Sequence, residues 1–415
     1  MKYLFSIGLI YLVVLITPKA QGQNLTKAEQ KFLQKQAKSV TTTKDFAEAN
    51  WKMIDKAIKG KQIVALGEFN HGAKEVFYLR NKLIKYLHQK HQFRVILFES
   101  GIGELAWIDL KKSQLTPRQM TYGFLGGWRN QAFQELMQYV KENKLSVGGF
   151  DVQRFGGDFT HLLKDVATQH SLDTALYASL EKRFTSVSRA LKSRKTQYEA
   201  IQPATDQLIQ DYRQLLNALT IYNKKESKTL PIVRQTLLNR VHYLNFRLKF
   251  VQKKNWHQRW IARDSAMANN VMWLADNVFK GQKIILVAHN FHVAKFNQKE
   301  EVMGEFLAKK YGDQMYVLGA FAAKGSYHGN YGNTRKMKAP DTKASDLKHY
   351  INALPDYAYF LPIPKKKTKG NQWLFKPIIV NDTFINLNGG KKMVLAAYFD
   401  GLLLLDRVSP PEEKK

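Results

Sequence analysis

The sequence predicts an α/β fold: a mostly parallel sheet flanked by helices, with a helical insertion covering a cleft at the carboxyl ends of the strands. Three observations predict it. First, "QIVAL" (62–66), "RVILF" (94–98), "SVGGF" (146–150) and "KIILVA" (283–288) are short continuous apolar runs. Unbroken runs of this length read as strands buried on both faces. Second, the stretch between the first two carries Val76, Leu79, Leu83, Ile84 and Leu87 at helical spacing. Strand–helix–strand implies a parallel pair with a right-handed crossover. Third, residues 158–280 break this rhythm with a long, basic, helix-patterned stretch.

In chain order, residues 1–22 come first. They hold an early lysine, an apolar run from Tyr3 to Thr17 and the small-x-small site Ala20-Gln21-Gly22. This predicts a cleaved signal peptide, a mature start at Gln23 and an exported protein, periplasmic or extracellular. The run is shorter than the ~20 residues a membrane-spanning helix needs. Residues 23–44 are an N-terminal segment and 45–157 the first part of the α/β core, including a helix at 131–143. Residues 158–280 are the insertion. Its helix–helix connections are expected at 200–206 and 224–231, and its last helix at 260–279. Residues 281–408 are the second part of the core, with further strands at 314–319, 357–363 and 393–405. Residues 322–345 read as loop, and 409–415, "SPPEEKK", as a disordered tail.

Composition narrows the function classes. The 415 residues are 44% hydrophobic and 24% charged, ordinary globular values. There is no cysteine, which excludes a cysteine nucleophile, cysteine metal ligands and a lipidated N-terminal cysteine. The net charge is +31, from 65 Lys and Arg against 34 Asp and Glu. Such a field draws anionic partners without choosing among them. Residues 181–260 concentrate it, with 17 basic residues against 5 acidic, and "PKKKTKG" (364–370) is a second basic run. No nucleic-acid-binding signature accompanies the charge. The expectation is weak contact with anionic surfaces and no specific nucleic acid. Oligomeric state is not legible.

The chemistry concentrates at strand ends. "QIVAL" runs into "GEFNHG", "RVILF" ends at Glu99, "SVGGF" at Asp151 and "KIILVA" at His289. In an open parallel sheet, ligands bind beyond the carboxyl ends of the strands. Glu68, His71, Glu99, Asp151 and His289 should therefore converge on one edge. "GEFNHG" is not a phosphate loop: a lysine follows one place late, at Lys74, and no Ser or Thr comes after it. The G-x-S-x-G and H-E-x-x-H patterns are absent.

Two readings survive. In one, His71 is a general base that activates water, with carboxylates holding its ring. In the other, His71, His289 and a glutamate hold a metal with one position left for water. Arg80, on the apolar stripe of the first helix, points back toward the His71 turn. It could bind a substrate carboxylate or stabilise an oxyanion or Glu68. "AHNFHV" (288–293) places His289, Asn290 and His292 at the same edge, where Asn290 could bond an imidazole or a substrate carbonyl.

"GEFNHG", "FES", "RDSAMANNVMWL" and "AHNFHV", in this order and spacing, resemble the erythromycin esterase-like family. The resemblance runs from about residue 45 to 405 and includes "GWRNQAFQELMQYVKENK", "GFDVQ" and "AAYFDGLLLLDRVSPP". It implies an α/β core with a helical insertion, a deep cleft and metal-free ester hydrolysis by histidine-activated water, with no cofactor. The family's motif residues fall on Glu68, His71, Arg80, Glu99, His289 and His292. The family's usual "GEATHG" differs here at Phe69 and Asn70, which places a bulky ring beside the site.

The leading expectation is an exported hydrolase of a small-molecule ester or lactone. His71 is its base, Glu68 and Glu99 orient base and water, and His289 and Arg80 stabilise the oxyanion. His292 and Asn290 contact substrate. A metal-dependent hydrolase at the same cleft and a non-enzymatic binder of acidic polymers are the alternatives.

Overall fold

The computed structural model describes residues 25–44, 48–221, 229–254, 258–329, 332–342, 345–383 and 391–412. The expected signal peptide, the stretch 222–228 and the last three residues lie outside them. The strands are β1 (Lys38–Thr41), β2 (Ile63–Glu68), β3 (Phe93–Gly101), β4 (Ser146–Asp151), β5 (Lys283–His289), β6 (Met315–His328), β7 (Thr334–Lys336), β8 (Ala358–Pro362), β9 (Ile378–Ile379), β10 (Lys392–Met393) and β11 (Gly401–Val408). One nine-stranded sheet runs β1-β8-β11-β6-β2-β5-β3-β4, with β7 beside β6. From β4 to β11 along this path the strands are parallel. β8, antiparallel to β11, and β1, antiparallel to β8, finish the edge.

β2 and β3 are parallel, as the crossover argument requires, but they are not neighbours. β5, more than 180 residues downstream, lies between them, with Ile63 and Val95 both paired to Ile284. The insertion thereby separates two parts of one sheet. All six residues of β2 are buried, because helices cover both faces of a parallel sheet. Val64 and Leu66 join one core layer with Leu83 and Leu87 of the helix Lys74–His91. Ile63 and Ala65 join the other, with Met267 and Leu286. Truncating a fully buried residue such as Leu83 to alanine costs about 2–5 kcal/mol.

Between β4 and β5 the long helices are Asp158–Gln169, Thr174–Lys192, Tyr198–Ala218, Leu230–Lys253 and Gln258–Asn277, around a third apolar cluster. The first boundary differs from expectation. Residues 200–206 are helical, and the break falls at 193–197, where Ser193 is extended. Pro203 removes one backbone hydrogen bond near the start of its helix. The buried face of Leu208, Ile209, Tyr212 and Leu215 outweighs that loss. The second expected connection, 224–231, lies mostly outside the described residues. The next helix begins at Leu230 with proline in its first turn.

Three further expectations are corrected. β6 continues to His328 and pairs with β7, so part of 322–345 is a hairpin rather than loop. Gly325, at φ +113°, lets this strand pass the Val408 carbonyl where a Cβ would collide. The expected strand 393–405 is interrupted by a short helix, Leu395–Tyr398, before β11. Its side chain accepting the Val317 N–H at 2.9 Å, Asp400 closes that break. The tail is docked as far as it is described: Ser409 donates from its backbone N–H and its hydroxyl to Glu75 at 2.7 and 2.6 Å, and Pro411 is buried. No helix among the described residues is long and apolar enough to cross a membrane.

Candidate active site

β2 delivers Glu68 as its last residue, 1% exposed. The chain then turns sharply. The Asn70 side chain accepts the Gly72 N–H at 3.0 Å, a local cap that competes well with regular structure. Gly72 lies so close to the His328 backbone that no side chain fits there. The turn folds His71 back over Glu68, with Nδ1 2.6 Å from Oε1. Trp128 donates its indole N–H to the same oxygen at 3.0 Å, and Arg80 donates to Oε2 at 2.5 Å. The Arg80 guanidinium is enclosed by the Phe77 and Trp128 rings, 4.8 and 5.0 Å away. The His71 side chain is 14% exposed, against 1% for Glu68. Among the described residues no group hydrogen-bonds the His71 Nε2.

The neighbouring strand ends form the opposite wall. Register places His289 of β5 beside Glu68 of β2. Its ring centroid is 5.5 Å from that of His71. Both His289 nitrogens are occupied. Nδ1 accepts the Phe291 N–H at 3.1 Å, so Nε2 carries the proton and donates to the Phe69 carbonyl at 2.9 Å. Glu99 accepts the His289 backbone N–H at 3.1 Å through one oxygen and Arg263 Nη2 at 2.8 Å through the other. Arg263 also makes a two-point contact with Asp151, at 3.1 and 2.6 Å. His292 bonds Asp264 through Nδ1 at 2.7 Å.

The electrostatics separate the three histidines. Burial opposes the charged form of each, but their neighbours differ. At His71 the Glu68 hydrogen bond and charge, with Glu99 behind, outweigh burial and raise the imidazole above its ordinary value. At His289 burial is reinforced by the other two histidines, and the ring drops to about 4. At His292 the Asp264 and Glu99 carboxylates prevail over burial and Arg263, carrying the ring to about 9. The His292 Nε2 lies 3.0 Å from Arg263 Nη1 and 3.4 Å from Glu99. A protonated ring can donate only to Glu99, so the Arg263 contact belongs to the neutral ring. Burial would raise both glutamates. Arg80 and His71 nevertheless hold Glu68 below its usual range, and His292 and Arg263 hold Glu99 well below.

Glu68, His71, Arg80, Glu99, Asp151, His289 and His292 thus form one connected cluster. Three placements differ from expectation. Asn290 faces away from the cleft: its amide donates to the Ala320 carbonyl and accepts the Ala320 N–H, at 2.8 and 3.2 Å, bridging β5 to β6. Arg80, 2% exposed, bonds Glu68 from behind, the one of its three expected roles that involves neither substrate nor oxyanion. Phe69 turns into the core against Tyr327, with centroids 6.0 Å apart, rather than into the cleft. Sequence reasoning missed Trp128, Arg263 and Asp264. Arg263 and Asp264 were visible as adjacent charges inside the otherwise core-facing pattern "WIARDSAMANNVMWL". Trp128 lies 60 residues from Glu68 and carries no local signal. Among the described residues, no group of three or more His, Asp or Glu side chains is arranged to hold a metal ion.

Comparison with known proteins identifies the family. The erythromycin esterase family model matches residues 88–408, beginning downstream of Glu68, His71 and Arg80. A Bacillus subtilis (strain 168) protein provisionally described as a hydrolase, YbfO, is 25% identical over 398 residues, covering 86% of each chain. Erythromycin esterase type II of Escherichia coli is 25% identical over 311 residues, covering 66% of this chain and 72% of its own. The crystal structure of an erythromycin esterase mutant, EreC, in its open conformation superposes with a TM-score of 0.61 at 16% identity. That superposition covers 87% of this chain and 94% of the other, and it shows the shared fold. The family model and the two sequence relatives support hydrolase chemistry. With most of its length matched by the family model, the chain belongs to the erythromycin esterase family.

Proposed function

We propose that the protein is an exported hydrolase of a carboxylic ester or lactone in which His71 activates water. One observation carries the reading: His71 has Nδ1 locked to a carboxylate held below its usual range, and Nε2 has no hydrogen-bond partner among the described residues. A water at Nε2 attacks the acyl carbon and gives its proton to the ring. Glu68 stabilises the imidazolium through the Nδ1–H bond, the logic of histidine–carboxylate dyads. Arg80 and the Trp128 indole keep Glu68 ionised and in place. The tetrahedral intermediate then expels the alkoxide, which takes the proton from Nε2. His289, neutral and protonated at Nε2, is the adjacent donor for the oxyanion, exchanging the Phe69 carbonyl for the substrate oxygen. Glu99 fixes the His289 backbone and, with Arg263, Asp151 and His292, holds the second wall rigid.

The test is a mass-spectrometric survey of esters and lactones, macrolides included, with wild type and His71→Ala, half the wells containing EDTA. Hydrolysis that survives EDTA and falls by about 10²–10⁴ in the variant supports the reading. Activity abolished by EDTA favours metal-assisted hydrolysis at the same cleft. Full activity in His71→Ala sinks the base assignment.

A further inference from the structure

The insertion carries a second feature that hydrolysis does not use. Two acid-free stretches, 182–198 and 229–254, meet at one end of it. Arg247 donates from Nη2 to the Leu191 carbonyl at 2.8 Å, joining the C-terminal ends of the helices Thr174–Lys192 and Leu230–Lys253. Arg189, Arg194, Lys195, Lys249, Lys253 and Lys254 are all exposed around this junction. A helix C-terminus favours a cation in its last turn. That accounts for Arg189 and Lys253, but not for residues beyond the helix ends. Beside the junction lies a surface cavity of about 390 Å³, lined by Tyr198, His242, Asn245, Phe246, Lys249 and Gln252. The size falls within the range of small-ligand sites, ~300–1,000 Å³. The lining combines aromatic faces, amides and a cation, with no carboxylate.

We propose that this pole of the insertion binds an acidic polysaccharide. Tyr198, half-buried at the rim, offers its ring to a sugar, Asn245 and Gln252 hydrogen-bond its hydroxyls, and the surrounding lysines and arginines neutralise its carboxylate or sulfate groups. A bare polyanion would use the charges alone. A neutral glycan would leave them without a role. The cavity and the cationic ring together select a ligand with both features.

The experiment is calorimetric titration of the mature protein with polygalacturonate, and with inorganic polyphosphate as a polyanion that has no ring to place on an aromatic side chain. Lys249→Glu/Lys253→Glu removes two cations at the junction. Lys365→Glu/Lys367→Glu makes the same charge change in the separate exposed run at 365–369. Binding driven by ion release falls with each cation removed. The junction pair should therefore weaken polygalacturonate binding by about tenfold or more, and the control pair by less than about twofold. Tyr198→Ala should weaken the polysaccharide and leave polyphosphate binding unchanged, and His71→Ala should bind as wild type does. Equal losses from the two charge pairs would reduce the effect to net charge and overturn the proposal. So would Tyr198→Ala weakening both ligands alike, or no saturable binding by the wild type.

Discussion

Two buried charge clusters lie five residues apart along the chain, and only one is built for chemistry. Glu99, at the end of β3, joins the histidine cluster. Glu104, in the helix Ile102–Lys111 that follows, joins a knot with the insertion. There Arg240 bonds Glu104 at 2.7 Å and Glu181 at 3.2 Å, and Tyr212 donates to Glu181 at 2.8 Å. Arg154 pairs with Glu181 at 3.3 Å, and the Phe159 and Phe184 rings enclose Arg240. Both clusters bury ionised groups, so burial of charge does not by itself mark a site. The knot contains no histidine, and its central cation is 1% exposed. The other cluster leaves one titratable nitrogen, the His71 Nε2, without a hydrogen-bond partner among the described residues, on a side chain that is 14% exposed. An accessible atom with a tuned proton affinity is what separates chemistry from cohesion.

The comparison can be broken most forcefully at Arg240. Arg240→Met leaves Glu104 and Glu181 buried without their shared partner. It should cost about 3–5 kcal/mol of stability, read as a lowered urea midpoint, while turnover per folded molecule changes little. A large kinetic loss with unchanged stability would erase the distinction between the clusters. Glu68→Gln should do both kinds of damage. It strands the Arg80 charge, and it removes the partner that raises His71, so turnover falls by about 10–10³ and the acid limb of the rate profile moves down. An unmoved limb would contradict the coupling.

The pH dependence of stability sharpens the picture further. His289 is held at about 4, below the ordinary 6.5, so between those values the unfolded chain binds a proton that the folded chain does not. Folding stability should therefore fall as pH drops from 6.5 toward 4, by an amount on the order of 3 kcal/mol. His292, raised to about 9, works oppositely: its contribution is full below 6.5 and is lost as pH rises through 9. Urea titrations across pH should show both flanks, and His289→Asn should flatten the acid one. The smallest effect is expected at Trp128. Trp128→Phe keeps the aromatic packing and removes one donor from Glu68, so the carboxylate turns more strongly to His71. The His71 midpoint should rise and kcat should fall about two- to tenfold with KM unchanged. Altered KM with unaltered kcat would argue that Trp128 acts on substrate instead.

Much of this was legible from local pattern. Continuous apolar runs identified the parallel strands, and the residue following each run identified the edge where Glu68, Glu99, Asp151 and His289 meet. What the sequence concealed depends on long-range pairing. Nothing local says that β5 lies between β2 and β3, since the register is decided by packing across more than 180 residues. The Trp128 contact and the Asn290 bridge to Ala320 arise the same way. Pro203 misled because a single missing hydrogen bond near a helix start yields to a well-buried face. Arg80 was placed on the correct helix face with Glu68 among its possible partners, but only its hydrogen bond to Glu68 and the enclosing rings of Phe77 and Trp128 select that role over substrate binding.

The most direct measurement pairs two titrations of His71. Its imidazole midpoint, read by NMR from the difference between wild type and His71→Ala, is set against the acid limb of kcat/KM for the ester found in the survey. The account predicts that the two midpoints coincide above the ordinary histidine value, and that both move down together in Glu68→Gln. An acid limb that stays fixed while the His71 midpoint moves would contradict it.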